Sequence, residues 1–263
     1  MAMEYEDLLL EKSDGIATVT LNAPDKMNAL TVGMRRSLLR IKDELAADDT
    51  VKVVVVTGTG RGFCAGADLS GKGSTEPTRQ QKIGFLGPDF GADVFISLDK
   101  PVIAAINGAA VGAGFSLALS MDIRIASEAA RFGAVFVLRG LSPDCGITYF
   151  LPRLIGTARA MEMMYTGDII GAAEAKDLGI VSRVVPPDEL MTTAYELAGR
   201  IITQAPFSVE LTKKMVYRAF RDDWARQIEM EAIANQITKP TEDSREAVRA
   251  FFERRPPPPY KGR

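Results

Sequence analysis

Histidine is absent from the 263 residues, cysteine occurs twice and tryptophan once. Without an imidazole, serine and cysteine nucleophile systems that depend on a histidine base are excluded, and imidazole metal sites with them. Asp and Glu could still ligate magnesium, but no cluster of carboxylates sits near the glycine-rich segments, so neither a metal nor a separate cofactor is expected. Cys64 and Cys145 stand far apart in a chain large enough to fold without a covalent staple, so two reduced thiols are expected. No stretch approaches the roughly 18 uninterrupted apolar residues of a membrane span. The acidic start MAMEYEDLLLEKSDG also lacks the basic and then apolar pattern of a secretory signal. The expectation is a cytoplasmic protein without membrane contact. An excess of positive charge is missing too: the formal balance is -2, which offers no concentrated field for nucleic acid.

What is present suits a globular chain with one sizeable core and a smaller appended element, since 46% of the residues are hydrophobic. Apolar runs at 8–10 and 16–21 flank Ser13-Asp14-Gly15, the pattern of a hairpin. Thr31 precedes Met34, Leu38, Ile41 and Leu45, whose spacing puts one apolar stripe on a helix. Strands are predicted over 51–57, 102–106 and 123–126, with a helix near 114–121, an α/β alternation. The polar segment 71–88 reads as a mobile loop, with the covering of a bound ligand as the alternative. Beyond Val185 strand signals stop, and 190–202, 208–220, 222–237 and 244–254 read as four helices, followed by an extended tail at the four prolines 256–259.

Chemistry concentrates in two loops. RGFCAGADL, from Arg61, follows the strand at 51–57, and its small residues leave backbone NH groups open to a ligand. NGAAVGAGFSLAL, from Asn107, follows the strand at 102–106 and runs into a helix, so donors from the two loops can converge. GAGFSL does not complete a dinucleotide fingerprint, because Leu117 stands where the third glycine belongs. GFSLA is not a nucleophile elbow, because Ala118 replaces the glycine and no histidine exists. Asp144 in SPDCG has two readings, a helix N-cap and a catalytic base. Cys64 and Cys145 read as small packing residues, with no neighbouring cation in the sequence to activate a thiol.

The motifs APDKMNALT, VVVVTGTGRGFCAGADL, KPVIAAINGAAVGAGFSLALSMDIRIAS, FGAVFVLRGLSPDCGITYFLPRLIG and REAVRAFFERRPPPPYKGR occur in this order. Together they resemble the enoyl-CoA hydratase/isomerase family, the crotonases, over nearly the whole chain. The resemblance implies a spiral of ββα repeats over 1–188 and an all-helical element over 189–263 that mediates a homotrimer or homohexamer. It implies an acyl-CoA thioester as substrate, with coenzyme A as part of that substrate, and an enolate held by the NH groups of Ala67 and Ala113. Substrate contacts are implied for Lys26, Ala29, Ala65, Asp68 and Leu69 around the first loop, and for Gly112, Gly114, Ser116 and Phe136 around the second. Lys26 is expected near a phosphate, and Asp68 as a possible helix cap. The 71–93 stretch is expected to help build the acyl pocket.

The two glutamates that hold water in typical hydratases match Ser116 and Phe136 here, while Asp144 matches the acid of isomerase-type members. The resemblance is therefore strongest to the enoyl-CoA and ring-epoxide isomerase branch. One carboxylate suffices to move a proton between two carbons, whereas hydration needs a positioned water as well. Phe136 is expected to exclude water and raise the proton affinity of Asp144. The alternatives are an enoyl-CoA hydratase and a non-catalytic acyl-CoA-binding trimer.

Overall fold

The structure, a computed structural model, describes residues 5–70 and 93–263. The loop expected over 71–88, and nearly all of the 71–93 stretch expected to build the acyl pocket, lie outside the described residues. Strands β1 (Leu8–Ser13) and β2 (Ile16–Leu21) form the anticipated hairpin. Its turn puts Asp14 at φ 51° and Gly15 at φ 80°, the doubly left-handed geometry whose twist matches that of the flanking strands. Helix α1 (Val32–Ala47) starts at Thr31, whose side chain accepts from the Met34 amide at 2.9 Å. Met34, Leu38, Ile41 and Leu45 are all fully buried, and each contributes about 2 kcal/mol of apolar burial.

Strand β3 (Val53–Gly58) begins two residues later than the apolar run at 51–57 suggests. Val51 and Lys52 are used in the preceding turn, their amides donating to the carbonyls of Asp48 at 3.1 Å and Gly15 at 2.8 Å. The chain then drops into a short strand, β4 (Gly62–Cys64), and re-enters the described region at α2 (Asp93–Ile96). The pattern repeats as β5 (Val102–Ile106), β6 (Ala109–Val111) and α3 (Ala113–Leu119). It repeats again as β7 (Ile123–Ser127) and β8 (Arg131–Gly133), followed by α4 (Ile147–Ile155) and α5 (Thr157–Thr166). Strand β9 (Ile169–Gly171), α6 (Ala172–Asp177) and β10 (Arg183–Val185) close the core.

The longer strands line up as β1-β2-β3-β5-β7-β10 and the short ones as β4-β6-β8-β9. Each repeat thus gives one strand to each of two sheets before its helix, which is the spiral of ββα units. Within the larger sheet every pairing after the hairpin is parallel. This explains why β5 (VIAAI) is buried along its whole length instead of alternating: a parallel sheet is covered on both faces.

The C-terminal helices are α7 (Leu190–Ile202), α8 (Pro206–Arg218), α9 (Trp224–Thr238) and α10 (Glu242–Phe252). Three starts differ by two residues from the sequence reading, and local chemistry accounts for them. Pro206 occupies the first turn of α8, Asp223 caps α9 through the Arg226 amide, and Thr241 caps α10 through the Ser244 amide. Helix α7 lies on the outer face of the sheet, where Leu190, Ala194 and Ala198 meet Val53, Val55, Ile103, Ala105 and Ile125. Helix α8 is pinned by Lys213, which pairs with Asp122 at 3.0 Å and donates to the carbonyls of Phe95 and Lys100. Removing one partner of such a buried pair costs about 3–5 kcal/mol. The tail after the prolines does not run free: the Asp243 carboxylate accepts from the amides of Lys261 at 2.8 Å and Gly262 at 2.7 Å.

Candidate active site

The two glycine loops meet back to back. Gly66 has φ 97°, which favours glycine, and a side-chain carbon placed on it would stand 3.0 Å from the Val111 carbonyl and 3.4 Å from the Ala113 amide nitrogen. The backbone entering Ala67 therefore abuts the backbone entering Ala113. Among the described residues, neither the Ala67 nor the Ala113 amide donates a hydrogen bond. For Ala113 this follows from its place as the first residue of α3. For Ala67 it follows from a parallel bridge to Leu30. There the Leu30 amide donates to the Gly66 carbonyl at 2.7 Å and the Asp68 amide to the Leu30 carbonyl at 3.3 Å, which leaves the amide between them unclaimed. Unclaimed NH groups on two abutting stretches of backbone are the parts from which a site for a developing oxyanion is built.

The segment facing the first loop is held by side-chain amides that the sequence reading left without a role. Asn28 is fully buried, accepts from the Ala23 amide at 2.9 Å and donates to the carbonyls of Thr59 and Gly62. Asn107 accepts from the Gly58 amide at 3.1 Å and also donates to Gly62. Both lie inside the motifs quoted above, and the available signal was the tolerance of Asn for the left-handed region, which Asn28 uses at φ 56°.

Asp144 lies on the loop between β8 and α4 and is exposed. It does not cap α4: Gly146 precedes that helix, and no side-chain cap bond is made there. Its backbone carbonyl accepts from the Ile147 amide at 3.2 Å and from the Ser116 hydroxyl at 3.1 Å, so the loop is tied to α3 one turn past Ala113. Ala67, Ala113 and Asp144 are thereby gathered on neighbouring segments. Cys145, adjoining Asp144, has its thiol pushed up first by burial and then by the Asp144 carboxylate, and burial likewise pushes the Cys64 thiol up to about 12. Both thiols are free and protonated at neutral pH, so neither is an activated nucleophile.

Several residues expected to contact substrate have partners within the chain. The Ser116 hydroxyl is buried and directed at backbone carbonyls, so it supports the loop instead of lining a cleft. Phe136 is buried in the main core, while Asp144 is exposed. Lys26 pairs with Asp68 at 2.8 Å, and the other Asp68 oxygen accepts from the Ser70 amide at 2.9 Å. The helix that Asp68 was expected to cap lies outside the described residues. Ala29 is buried, Ala65 half-buried and Leu69 63% exposed at the edge of the loop. Gly112 and Gly114 flank Ala113, and a side-chain carbon on Gly114 would overlap the Cys64 carbonyl, so the second loop packs directly on the first.

The family model for enoyl-CoA hydratase/isomerase matches residues 11–263. The chain belongs to this family. It is 37% identical over 257 residues to the crotonyl-CoA hydratase of Syntrophomonas wolfei, covering 96% of this chain and 97% of that one. It is 36% identical over 262 residues to the 1,2-epoxyphenylacetyl-CoA isomerase of Escherichia coli, covering 96% and 97%. The crystal structure of an enoyl-CoA hydratase from Bacillus anthracis superposes with a TM-score of 0.91 at 34% identity, covering 98% of this chain and all of that one. In this family member, a separate cavity of about 800 Å³ lies between α4, α7 and α8, lined in part by Leu119, Phe150, Leu197, Val209 and Val216. It contains none of the residues gathered around Ala113. Among the described residues no helix is long and apolar enough to cross a membrane.

Proposed function

We propose that this crotonase-family enzyme isomerises the double bond of an enoyl-CoA, with Asp144 as the sole proton shuttle. The reading is carried by one observation: a single exposed carboxylate, Asp144, stands on a loop tied to α3, while the two positions that carry glutamate in hydratases are a buried serine and a buried phenylalanine. The thioester oxygen of a 3-enoyl-CoA accepts from the Ala67 and Ala113 amides. Asp144 removes a proton from C2, the charge spreads into a dienolate held by those amides, and the same carboxylate returns the proton at C4. Preorganised donors of this kind stabilise the developing charge by about 3 kcal/mol each.

The test is to incubate the protein with a short 3-enoyl-CoA and follow formation of the conjugated thioester by absorbance, beside the Asp144→Asn variant. Loss of at least about a thousandfold in kcat, with retained binding of a saturated acyl-CoA, is expected when the only proton-transferring group is removed. Full activity in that variant overturns the assignment. The names of relatives such as the Syntrophomonas wolfei crotonyl-CoA hydratase favour a second reading, addition of water to a 2-enoyl-CoA. Incorporation of labelled oxygen from water into product identifies it. Saturable binding without any reaction identifies a non-catalytic acyl-CoA-binding protein.

We also assign residues 1–188 to catalysis and 189–263 to self-association into a trimer, or a hexamer made from two trimers. Support comes from large apolar side chains left in solvent on the last helices: Trp224 is 79% exposed, and Phe251 and Phe252 are each 77% exposed.

A further inference from the structure

The loop that carries Asp144 has few anchors. Among the described residues, the amides of Ser142, Asp144, Cys145 and Gly146 donate no hydrogen bond. The backbone passes through the left-handed region at Cys145, φ 55°, and again at Gly146, φ 85°. A non-glycine residue held in that region costs about 1 kcal/mol or more, so it persists only where its surroundings enforce it. The enforcing contacts converge on the Asp144 carbonyl, which receives the Ile147 amide and the Ser116 hydroxyl.

Ser116 has one proton to give and two carbonyls near its oxygen, Asp144 at 3.1 Å and Gly112 at 3.4 Å. The Gly112 carbonyl already accepts from the Phe115 amide at 3.0 Å and the Ser116 amide at 3.1 Å. The proton therefore goes to Asp144. Ser116 is fully buried, so no water replaces this bond when it is lost. We propose that Ser116 is a positioning residue for the base: its hydroxyl fixes the Asp144 loop to the same turn of α3 whose first residue, Ala113, supplies an oxyanion donor. The distance between base and donor is then set within one helical turn. This inference rests on the isomerase reading given above.

The test compares Ser116→Ala and Ser116→Cys with the parent enzyme on a short 3-enoyl-CoA. Loss of one buried hydrogen bond that orients a catalytic group lowers kcat about tenfold in Ser116→Ala, with KM and binding of a saturated acyl-CoA changed less than about twofold. Cysteine restores the side-chain volume but is a weak donor, so Ser116→Cys is expected to stay close to the alanine variant. Full recovery by cysteine means that packing alone is at stake and overturns the proposal, as does an unchanged kcat in Ser116→Ala. Asp144→Asn separates the two levels. An active Asp144→Asn enzyme sinks the isomerase reading itself, whereas an inactive one beside a fully active Ser116→Ala sinks only the positioning role.

Discussion

Helices α3 and α9 are both rich in apolar residues, yet all seven residues of α3 are buried, whereas Gln227 is the one buried residue of the fifteen in α9. Helix α3 is packed because the two loops and β4 close over it, with the Cys64 carbonyl against Gly114 and the Asp144 carbonyl against Ser116. Helix α9 leaves Trp224, Ile228, Ile233 and Ile237 in solvent. An apolar pattern states that a helix needs a partner surface; it does not state whether that surface belongs to the same chain. In α3 the partner is internal and closely packed, which suits the preorganised donors proposed above. In α9 the exposed apolar face is what the proposed self-association rests on.

The most severe way to break the contrast is Gly114→Ala. The added carbon would meet backbone at Cys64, which cannot rotate away, so the loop and helix must separate. Overpacking of this kind costs about 1–3 kcal/mol and displaces Ala113. The expected result is a lowered Tm together with loss of saturated acyl-CoA binding. A variant with parental Tm and binding would mean that α3 is less tightly packed than described.

A milder effect on the fold and on ligand binding is expected at the other pole. Trp224→Ser combined with Phe251→Ser removes two exposed aromatic side chains without opening the core. Where such residues anchor an interface, each is worth about 2 kcal/mol, close to a 30-fold change in dissociation constant per residue. Sedimentation is expected to show a smaller species at low protein concentration, with an unchanged far-ultraviolet spectrum. An unchanged mass distribution would remove these helices from the association surface.

The same contrast marks what the sequence made legible. The stripe Met34-Leu38-Ile41-Leu45 and the hairpin at Asp14-Gly15 could be read because local chemistry alone determines them. The two-sheet spiral could not be derived from period counting, because β4, β6, β8 and β9 have only three residues each and their pairing is non-local. It came from resemblance. At the site, the open amide of Ala113 follows from a helix start, but that of Ala67 depends on its bridge to Leu30, and the supporting roles of Asn28 and Ser116 depend on carbonyls distant in sequence. Sequence gives the identity of a side chain such as Phe136 and not the direction in which it points.

The smallest expected effect lies beside the first loop, where Lys26 and Asp68 pair across the two segments joined at Leu30 and Ala67. The Lys26 ammonium, and then the Ser70 amide, hold the Asp68 carboxyl down at about 2 from its ordinary 3.8. A depressed carboxyl stabilises the fold when it is ionised. The contribution is therefore complete above about pH 4 and is lost as pH falls toward 2. In Asp68→Asn the deficit in Tm relative to the parent should be constant from neutrality to about pH 4 and should then close as the parent carboxyl is protonated. The deficit is small because the pair is solvated and screened by salt. A deficit that persists unchanged at pH 2 would show that Asp68 acts through its turn at Ser70 and not through its charge. Turnover adds a further discriminator. If Lys26 exchanges its carboxylate for a phosphate of the bound thioester, Asp68→Asn lowers KM, because the ligand no longer has to displace an internal partner, while kcat stays as it was.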